Sequence, residues 1–368
     1  MSADRITRRL TATVAAVAAL PLLLSACGYG SNAKNDNKTK VSAEGKALSA
    51  KTVKIGYFAN TTHATALVGN RKGFFQKELK GTKASYQAFN AGPAEIEALN
   101  SGAIDIGWIG PSPSINGYAQ SKGQSLKIIS GSASGGVKLV VDPKKIKSLD
   151  DLKGKTIATP QLGNTQDVAL LNYLATKGLT VDGKSGKGDV TIARTDNKVT
   201  PAVFQQGDID GAWVPEPTAS KLVAAGGKVL LDEKKLWKDG KFVITNVIVS
   251  QKFLKAHPDV VEALLRGSVK TNAWIKARPD AAKKVVNSAL EEETGKPLPA
   301  NVIDPAFKSV DVTNDPLATT LQDEADHAVK AGLLEKPDLK GIYDLAPLNK
   351  VLKAEGEPAV DDAGLGAE

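Results

Sequence analysis

Apolar and polar residues alternate over residues 53–57, and this period-two pattern predicts a β-strand. A short polar stretch follows, and then a helix that includes residues 66–68. The same order recurs farther along the chain. There, a predicted strand over residues 155–159 precedes a polar turn and a helix whose apolar positions over residues 168–174 fall on one face. The chain therefore repeats a unit of strand, polar loop and helix.

A second pair of segments repeats more closely. A predicted helix over residues 94–100 and another over residues 202–206 each lead into a Gly-x-Ile-Asp sequence, an apolar strand with one tryptophan, and a proline-rich loop. Two such copies indicate two lobes, since a solenoid would show several short periods in series. Strands that alternate with helices favour a parallel sheet in each lobe, and such sheets bind ligands at the carboxyl ends of their strands.

Two further strands predict how the lobes are joined. Residues 137–141 would carry the chain from the first lobe to the second, and residues 242–249 would carry it back, so that two crossovers form a hinge. The polar, Gly- and Ala-rich end of the chain is expected to be loose. The predicted division is a first lobe over residues 51–136 and 250–352, a second lobe with the hinge strands over residues 137–249, and a loose tail over residues 353–368.

The N-terminal segment has the pattern of an export signal. Arg5, Arg8 and Arg9 precede an apolar run over residues 10–24, which is shorter than the roughly 20 residues that a spanning helix needs. The sequence Leu-Ser-Ala-Cys that ends at Cys27 resembles a bacterial lipobox, in which the cysteine is lipidated and becomes the first residue of the mature protein. The alternative is a plain secretory signal with an incidental cysteine.

These features predict where the protein resides. Residues 1–26 would be the lipoprotein signal peptide, and residues 27–50, rich in Gly, Ser, Asn and Lys, would be a flexible tether. We therefore expect a protein held by lipid on Cys27 at the outer face of the cytoplasmic membrane. General and twin-arginine export both remain open.

Composition excludes several classes of function. The 368 residues carry a net charge of +8 with only 5% aromatic residues, and the sequence has neither an arginine-rich run nor aromatic residues interleaved with basic ones, so nucleic acid is not an expected partner. The three histidines lie far apart and Cys27 is the only cysteine, so neither a metal site nor a cofactor is expected. The sequence has no GxSxG elbow and no carboxylate pair in an acid–base context, which predicts a binding protein and not an enzyme.

Four predicted loops carry polar groups suited to an anion. The first three provide hydroxyl, amide and backbone N–H groups at helix starts, where about half a positive charge attracts anions. Helix capping would explain any one loop, whereas four loops at one cleft indicate a ligand site. The candidates are Asn60, Thr61, Thr62 and His63 in the first loop, Gly163, Asn164, Thr165 and Gln166 in the second, Gly110, Ser112 and Ser114 in the third, and Trp213 and Glu216 in the fourth.

Three candidates keep a second interpretation. Ser132, in a glycine-rich stretch after a predicted strand over residues 126–129, would line the cleft or only give the hinge freedom. Trp213 would form a wall of the pocket or pack in the core, as would Trp108. Glu216 would meet a cationic group of the ligand or face solvent.

At these residues the sequence resembles the substrate-binding proteins of ABC importers for aliphatic sulfonates, nitrate, taurine and thiamine-pyrimidine precursors. The matching stretches are residues 71–75, 95–107, 148–155, 163–170, 211–217 and 253–258. The resemblance implies an α/β, bilobal periplasmic-binding-protein fold of the second type, with two parallel-sheet lobes that close on the ligand. It also implies that residues 163–166 form an oxyanion-facing helix start and that the loops at Asn60 and Gly110 form other ligand walls. The loop over residues 110–114 differs from the acidic-then-diproline version of many sulfonate binders.

The combined prediction is an extracytoplasmic solute-binding lipoprotein that captures a small organic or inorganic oxyanion, with a sulfonate as the first choice, for an ABC importer. Its expected partners are an ABC permease and ATPase and the membrane, and a monomer is expected. One alternative is a pyrimidine-precursor-binding protein, or a pyrimidine-synthesising enzyme with pyridoxal phosphate for which His63 is the cleft candidate. Another is a ligand sensor for a membrane receptor. The ligand remains open among sulfonate, sulfate ester, nitrate, small carboxylate and pyrimidine.

Overall fold

The structure is a computed structural model that describes residues 47–367. The predicted signal peptide over residues 1–26, Cys27 and most of the predicted tether lie outside the described residues. No helix within residues 47–367 has the length and apolar character needed to cross a membrane.

The described chain alternates strands and helices in its first two thirds and is mainly helical afterwards. The strands are β1 (Thr52–Phe58), β2 (Lys83–Phe89), β3 (Ile106–Ile109), β4 (Leu126–Gly135), β5 (Val137–Val141), β6 (Thr156–Thr159), β7 (Thr191–Arg194), β8 (Gly211–Pro215), β9 (Lys228–Asp232), β10 (Val243–Ser250) and β11 (Val310–Val312). The helices are α1 (Ala64–Arg71), α2 (Phe74–Glu78), α3 (Gly92–Ser101), α4 (Pro111–Gln120), α5 (Thr165–Thr176), α6 (Thr200–Gln206), α7 (Thr218–Ala224), α8 (Gln251–Ala256), α9 (Pro258–Ala277), α10 (Pro279–Thr294), α11 (Ala300–Lys308), α12 (Leu321–Lys330) and α13 (Ala346–Ala354).

The first lobe is built on a six-stranded sheet with the strand order β11-β4-β10-β3-β1-β2. Strand β1 pairs in parallel with β2 and β3, as the repeated strand and helix units predict. Its apolar residues Val53 and Ile55 are fully buried, because helices cover the sheet. Strand β10 runs antiparallel between β3 and β4.

The second lobe is built on a five-stranded sheet with the order β7-β6-β8-β5-β9. Strands β6, β7 and β8 are parallel, whereas β5 is antiparallel to both β8 and β9. The predicted α/β fold with two lobes is therefore confirmed. In each sheet, parallel pairing is confined to the strands of the repeated units.

The chain passes between the sheets at two places. Gly135 and Gly136 join β4 directly to β5, and both have positive φ angles, +77° and +74°, which glycine adopts without strain. Residues 243–249, which the sequence analysis assigns to the second lobe, lie in the first sheet. They form part of β10, a strand that is buried on both faces and lies between β3 and β4. The chain returns to the first lobe in the segment between β9 and β10.

The C-terminal part of the chain packs on the first lobe. The segment after Lys353, expected to be loose, is held by Asn349, whose side-chain amide bonds both the N–H and the C=O of Val360. Leu365 packs against the core of the first lobe, and its carbonyl accepts a hydrogen bond from Gly341 N–H. These contacts could not be foreseen from the polar composition of the tail.

Candidate functional site

The first predicted loop follows β1 and is buried. Thr61–His63 form a 3₁₀ helix that leads into α1, and Asn60 precedes it. The backbone N–H of Phe58 donates to Nδ1 of His63 over 3.1 Å. Burial lowers the pKa of His63 to about 3, so its imidazole is neutral. Because a neutral imidazole carries one N–H and Nδ1 is an acceptor here, Nε2 is the donor.

The second predicted loop lies at the start of α5, in the second lobe. Gly163 has a φ of +73°, and Asn164 takes the N-cap position. The backbone N–H groups of Thr165 and Gln166 belong to the first turn of α5 and lack intrahelical acceptors. The hydroxyl of Thr165 is buried and has no hydrogen-bond partner among the described residues. This loop therefore offers several neutral donors.

An ion pair beneath this loop fixes its shape. The buried carboxylate of Asp167 accepts from the Thr159 hydroxyl over 2.7 Å and from Gly163 N–H over 3.1 Å. The guanidinium of Arg194 lies 3.1 Å from the same carboxylate. The ion pair of Asp167 and Arg194 thus supports the loop, although neither residue is part of the loop itself.

The third predicted loop begins α4, in the first lobe, and meets the second loop directly. A Cβ added to Gly110 would lie 2.4 Å from the Thr165 hydroxyl oxygen, so only glycine permits this approach. Two further contacts join the lobes here. Gly92 N–H donates to Oδ1 of Asn164 over 3.3 Å, and Thr61 N–H donates to the carbonyl of Glu216 over 3.3 Å.

The three loops enclose a cavity of about 20 Å³ between the lobes. No charged side chain is among the described residues that line it. The predicted residues that line it are Asn60, Thr62, His63, Gly110, Asn164, Thr165 and Gln166, which are joined by Phe58, Asn90, Asn197, Pro215 and Ile244. Asn90 and Asn197 were missed in the sequence, although each follows a strand, and residues at the carboxyl ends of strands are the signal that could have indicated them.

The other predicted residues do not line this cavity, and all of them except the half-buried Gly163 are buried. Ser114 donates to the Gly110 carbonyl over 2.9 Å, and Ser112 lies beside the carboxyl group of Glu324. Ser132 lies in β4, and its hydroxyl has no partner within the described chain. Thr61 contributes its N–H to the contact between the lobes, and Gly163 shapes the second loop from outside the cavity.

The fourth predicted loop is used inside the second lobe. Trp213 is fully buried in its core and donates from Nε1 to Oε2 of Glu233 over 2.6 Å. The carboxylate of Glu216 is fully buried, lies 2.6 Å from the ammonium of Lys138, and accepts from Ser220 N–H over 2.9 Å. Glu216 thus already has a cationic partner in the protein itself.

Comparison with known proteins agrees with this architecture. The chain is 30% identical over 234 residues to the taurine-binding periplasmic protein of Escherichia coli. This match covers 64% of this chain and 70% of that protein. The alkanesulfonate-binding protein SsuA from Xanthomonas axonopodis pv. citri, solved with bound MOPS, has a TM-score of 0.64 at 22% identity. That match covers 78% of this chain and 95% of SsuA.

A second similar structure is the periplasmic nitrate-binding protein NrtA from Synechocystis PCC 6803. It has a TM-score of 0.66 at 16% identity and covers 86% of this chain and 88% of NrtA. Both structural matches show that the chain has the periplasmic-binding-protein fold. The sequence profile of the NMT1-like family matches residues 46–290. Because this match extends over more than half of the sequence, the chain belongs to the NMT1-like family.

Proposed function

We propose that the protein is an extracytoplasmic solute-binding lipoprotein that captures a small oxyanion, a sulfonate, for an ABC importer. The observation that carries this proposal is the cavity between the lobes, where neutral hydrogen-bond donors from both lobes converge. A ligand held there would contact both lobes at once. The two lobes would then close around it, because only the closed arrangement provides all of these contacts.

The donors suit an oxyanion. The Thr165 hydroxyl, the first N–H groups of α5 and Nε2 of His63 belong to residues that line the cavity. The N-terminal end of α5 adds a partial positive charge that favours anions. A buried hydroxyl without a partner costs about 1–3 kcal/mol, and a ligand oxygen would remove that cost. Donors without full charge hold an anion while permitting its release.

The relatives support a sulfonate among the possible anions. The curated relative binds taurine, and one structural neighbour binds alkanesulfonates, so the group that their ligands share is a sulfonate. The nitrate-binding neighbour makes nitrate the second candidate. Binding without catalysis fits His63, because its Nδ1 is already occupied by a backbone N–H and its burial disfavours the charged form that would donate a proton.

Ligand entry would require the lobes to separate. A volume of about 20 Å³ accommodates about one water molecule, which is less than a sulfonate needs. Beside the cavity, the contacts from Gly92 to Asn164 and from Thr61 to Glu216 are single hydrogen bonds of 3.3 Å that such a motion can break. Gly135 and Gly136, where β4 passes into β5, are the proposed pivot.

Attachment to the membrane is part of the proposal and concerns residues outside the described range. We expect lipid on Cys27 to hold the protein at the outer face of the cytoplasmic membrane, near an ABC permease and its ATPase. The substitution Cys27→Ser should move the protein from the membrane fraction to the soluble fraction of the producing cells. A Cys27→Ser variant that still sediments with membranes would contradict lipid anchoring.

Ligand identity can be tested by thermal unfolding of the full-length protein, purified in a mild detergent, with a panel of anions. A ligand that binds only the native state stabilises it by about 2.7 kcal/mol at 100 times its dissociation constant. We expect 1-propanesulfonate and taurine to raise the melting temperature and chloride at equal ionic strength to leave it unchanged. A rise with nitrate alone would replace the sulfonate by nitrate, and no rise with any anion would reject the proposal.

A further inference from the structure

A second cavity lies beside the first, between the same two lobes. Its volume is about 40 Å³. Phe58, Asn60, Asn90 and Asn197 line both cavities, so the two are adjacent. A ligand that reaches past them would occupy both.

The two cavities differ in charge. The described residues that line the first are uncharged, whereas the second is lined by Asp196, Lys198 and Lys221. Oδ1 of Asp196 accepts from the backbone N–H of Lys198 over 2.8 Å, which commits this carboxylate to the turn before α6. Two ammonium groups and one carboxylate leave the second cavity with a net positive charge.

Lys221 is the half-buried cation of this cavity, and it lacks a counterion, whereas Lys198 is exposed. It lies in α7, and in the described part of the chain no hydrogen bond or ion pair involves its ammonium. Lys138 of the same lobe, by contrast, has the carboxylate of Glu216 at 2.6 Å. Burial lowers the pKa of Lys221, because its ammonium has lost water without gaining a partner. An anionic ligand group beside Lys221 would offset that loss.

We propose that the ligand carries a second anionic group, a carboxylate on a short aliphatic linker, which occupies the second cavity and pairs with Lys221. The inference rests on the proposed function, in which the sulfonate occupies the first cavity. It makes the substrate class a short sulfocarboxylate. The linker would pass Asn90 and Asn197, whose side chains border both cavities.

The test compares three sulfonates by isothermal titration calorimetry with the full-length protein. In 1-propanesulfonate, 3-sulfopropanoate and taurine, the same two methylene groups link the sulfonate to a methyl, a carboxylate or an ammonium group. We expect the wild-type protein to bind 3-sulfopropanoate at least about tenfold more tightly than 1-propanesulfonate, as one charge-assisted hydrogen bond provides.

Two variants locate the source of this preference. Lys221→Gln removes the charge, and we expect the ratio between 3-sulfopropanoate and 1-propanesulfonate affinities to fall to about one, since a neutral amide gives little preference for a carboxylate. Lys228→Gln removes an exposed lysine of the same lobe, in β9, and should keep the wild-type ratio. This control separates the local contact from the change in net charge.

The outcomes distinguish this inference from the proposed function. If wild-type protein binds 1-propanesulfonate but gains nothing from the carboxylate, or binds taurine most tightly, the inference is wrong and the proposed function stands. A preference that persists in Lys221→Gln also overturns it. If none of the three sulfonates binds wild-type protein with a normal circular dichroism spectrum, the sulfonate-binding function fails and this inference fails with it. The wild-type ratio decides the question even if Lys221→Gln does not fold.

Discussion

The hydroxyl of Thr165 is buried at the point where the two lobes meet, next to Gly110. It has no hydrogen-bond partner among the described residues, although its neighbours in the cavity are polar. An unpaired hydroxyl in such a place destabilises the protein alone and stabilises a complex in which a ligand oxygen accepts from it. Stability and binding should therefore respond in opposite directions when it is removed.

We predict that Thr165→Val weakens sulfonate binding by about 1–3 kcal/mol, or roughly 5- to 150-fold. The melting temperature of the ligand-free variant should be equal to or above that of the wild type, because valine has the same shape and no hydroxyl to satisfy. Calorimetry and thermal unfolding measure the two effects. Thr176→Val, an exposed position at the end of the same helix, is the control for binding and should keep the wild-type affinity. Equal ligand affinity in Thr165→Val would remove this loop from the site.

At the scale of elements, local signals explain what the sequence predicts. Alternation fixes β1, and glycine and asparagine at residues 163 and 164 fix the turn before α5, because each depends on neighbours in the chain. Loops that follow parallel strands converge at one edge, and so the first three predicted loops meet in one cavity. The repeated units therefore specify most of the architecture around the cavity.

Contacts between distant residues could not be predicted from the sequence. The partner of Glu216 is Lys138, 78 residues earlier, and no local pattern connects them. The carboxyl group of Glu95 in α3 lies against Gly56 and Gly107, two paired glycines of β1 and β3. Burial raises the pKa of Glu95 well above its ordinary value and so favours its neutral form. Such pairs form because the fold brings distant segments together, and the residues around each partner in the sequence do not indicate which segments will meet.

For the whole molecule, helix α12 is an element that joins the two lobes. Its residues Leu321 and Ala325 lie in the core of the first lobe, and the helix also packs against α5 of the second. Glu324 of α12 is buried, and within the described chain neither of its carboxylate oxygens has a hydrogen-bond partner. Glu233 of the second lobe lies near it and accepts from Nε1 of Trp213.

Burial sets the charge of this pair. It raises the pKa of Glu233 to about 7, and burial together with the charges of Glu233 and Asp323 raises the pKa of Glu324 well above its ordinary value. In the unfolded chain both glutamates ionise near pH 4.3, so between that pH and the raised values the folded protein holds protons that the unfolded chain has released. The stability that these two protonated acids contribute is therefore fully present below about pH 4.3, and it is lost as the pH rises through their folded-state pKa values.

We predict that Glu324→Gln reduces this fall, because one of the two acids can no longer ionise at the junction of the lobes. For each proton by which the folded and unfolded states differ, the unfolding free energy changes by about 1.4 kcal/mol per pH unit. In urea unfolding between pH 6 and pH 9, the unfolding free energy of Glu324→Gln relative to that of the wild type should increase as the pH rises. The unfolding free energy of Asp326→Asn, at an exposed position of the same helix, should depend on pH in the same way as that of the wild type. Parallel curves for Glu324→Gln would mean that Glu324 is already ionised in the folded protein, and the junction would then need a cation to hold its charge.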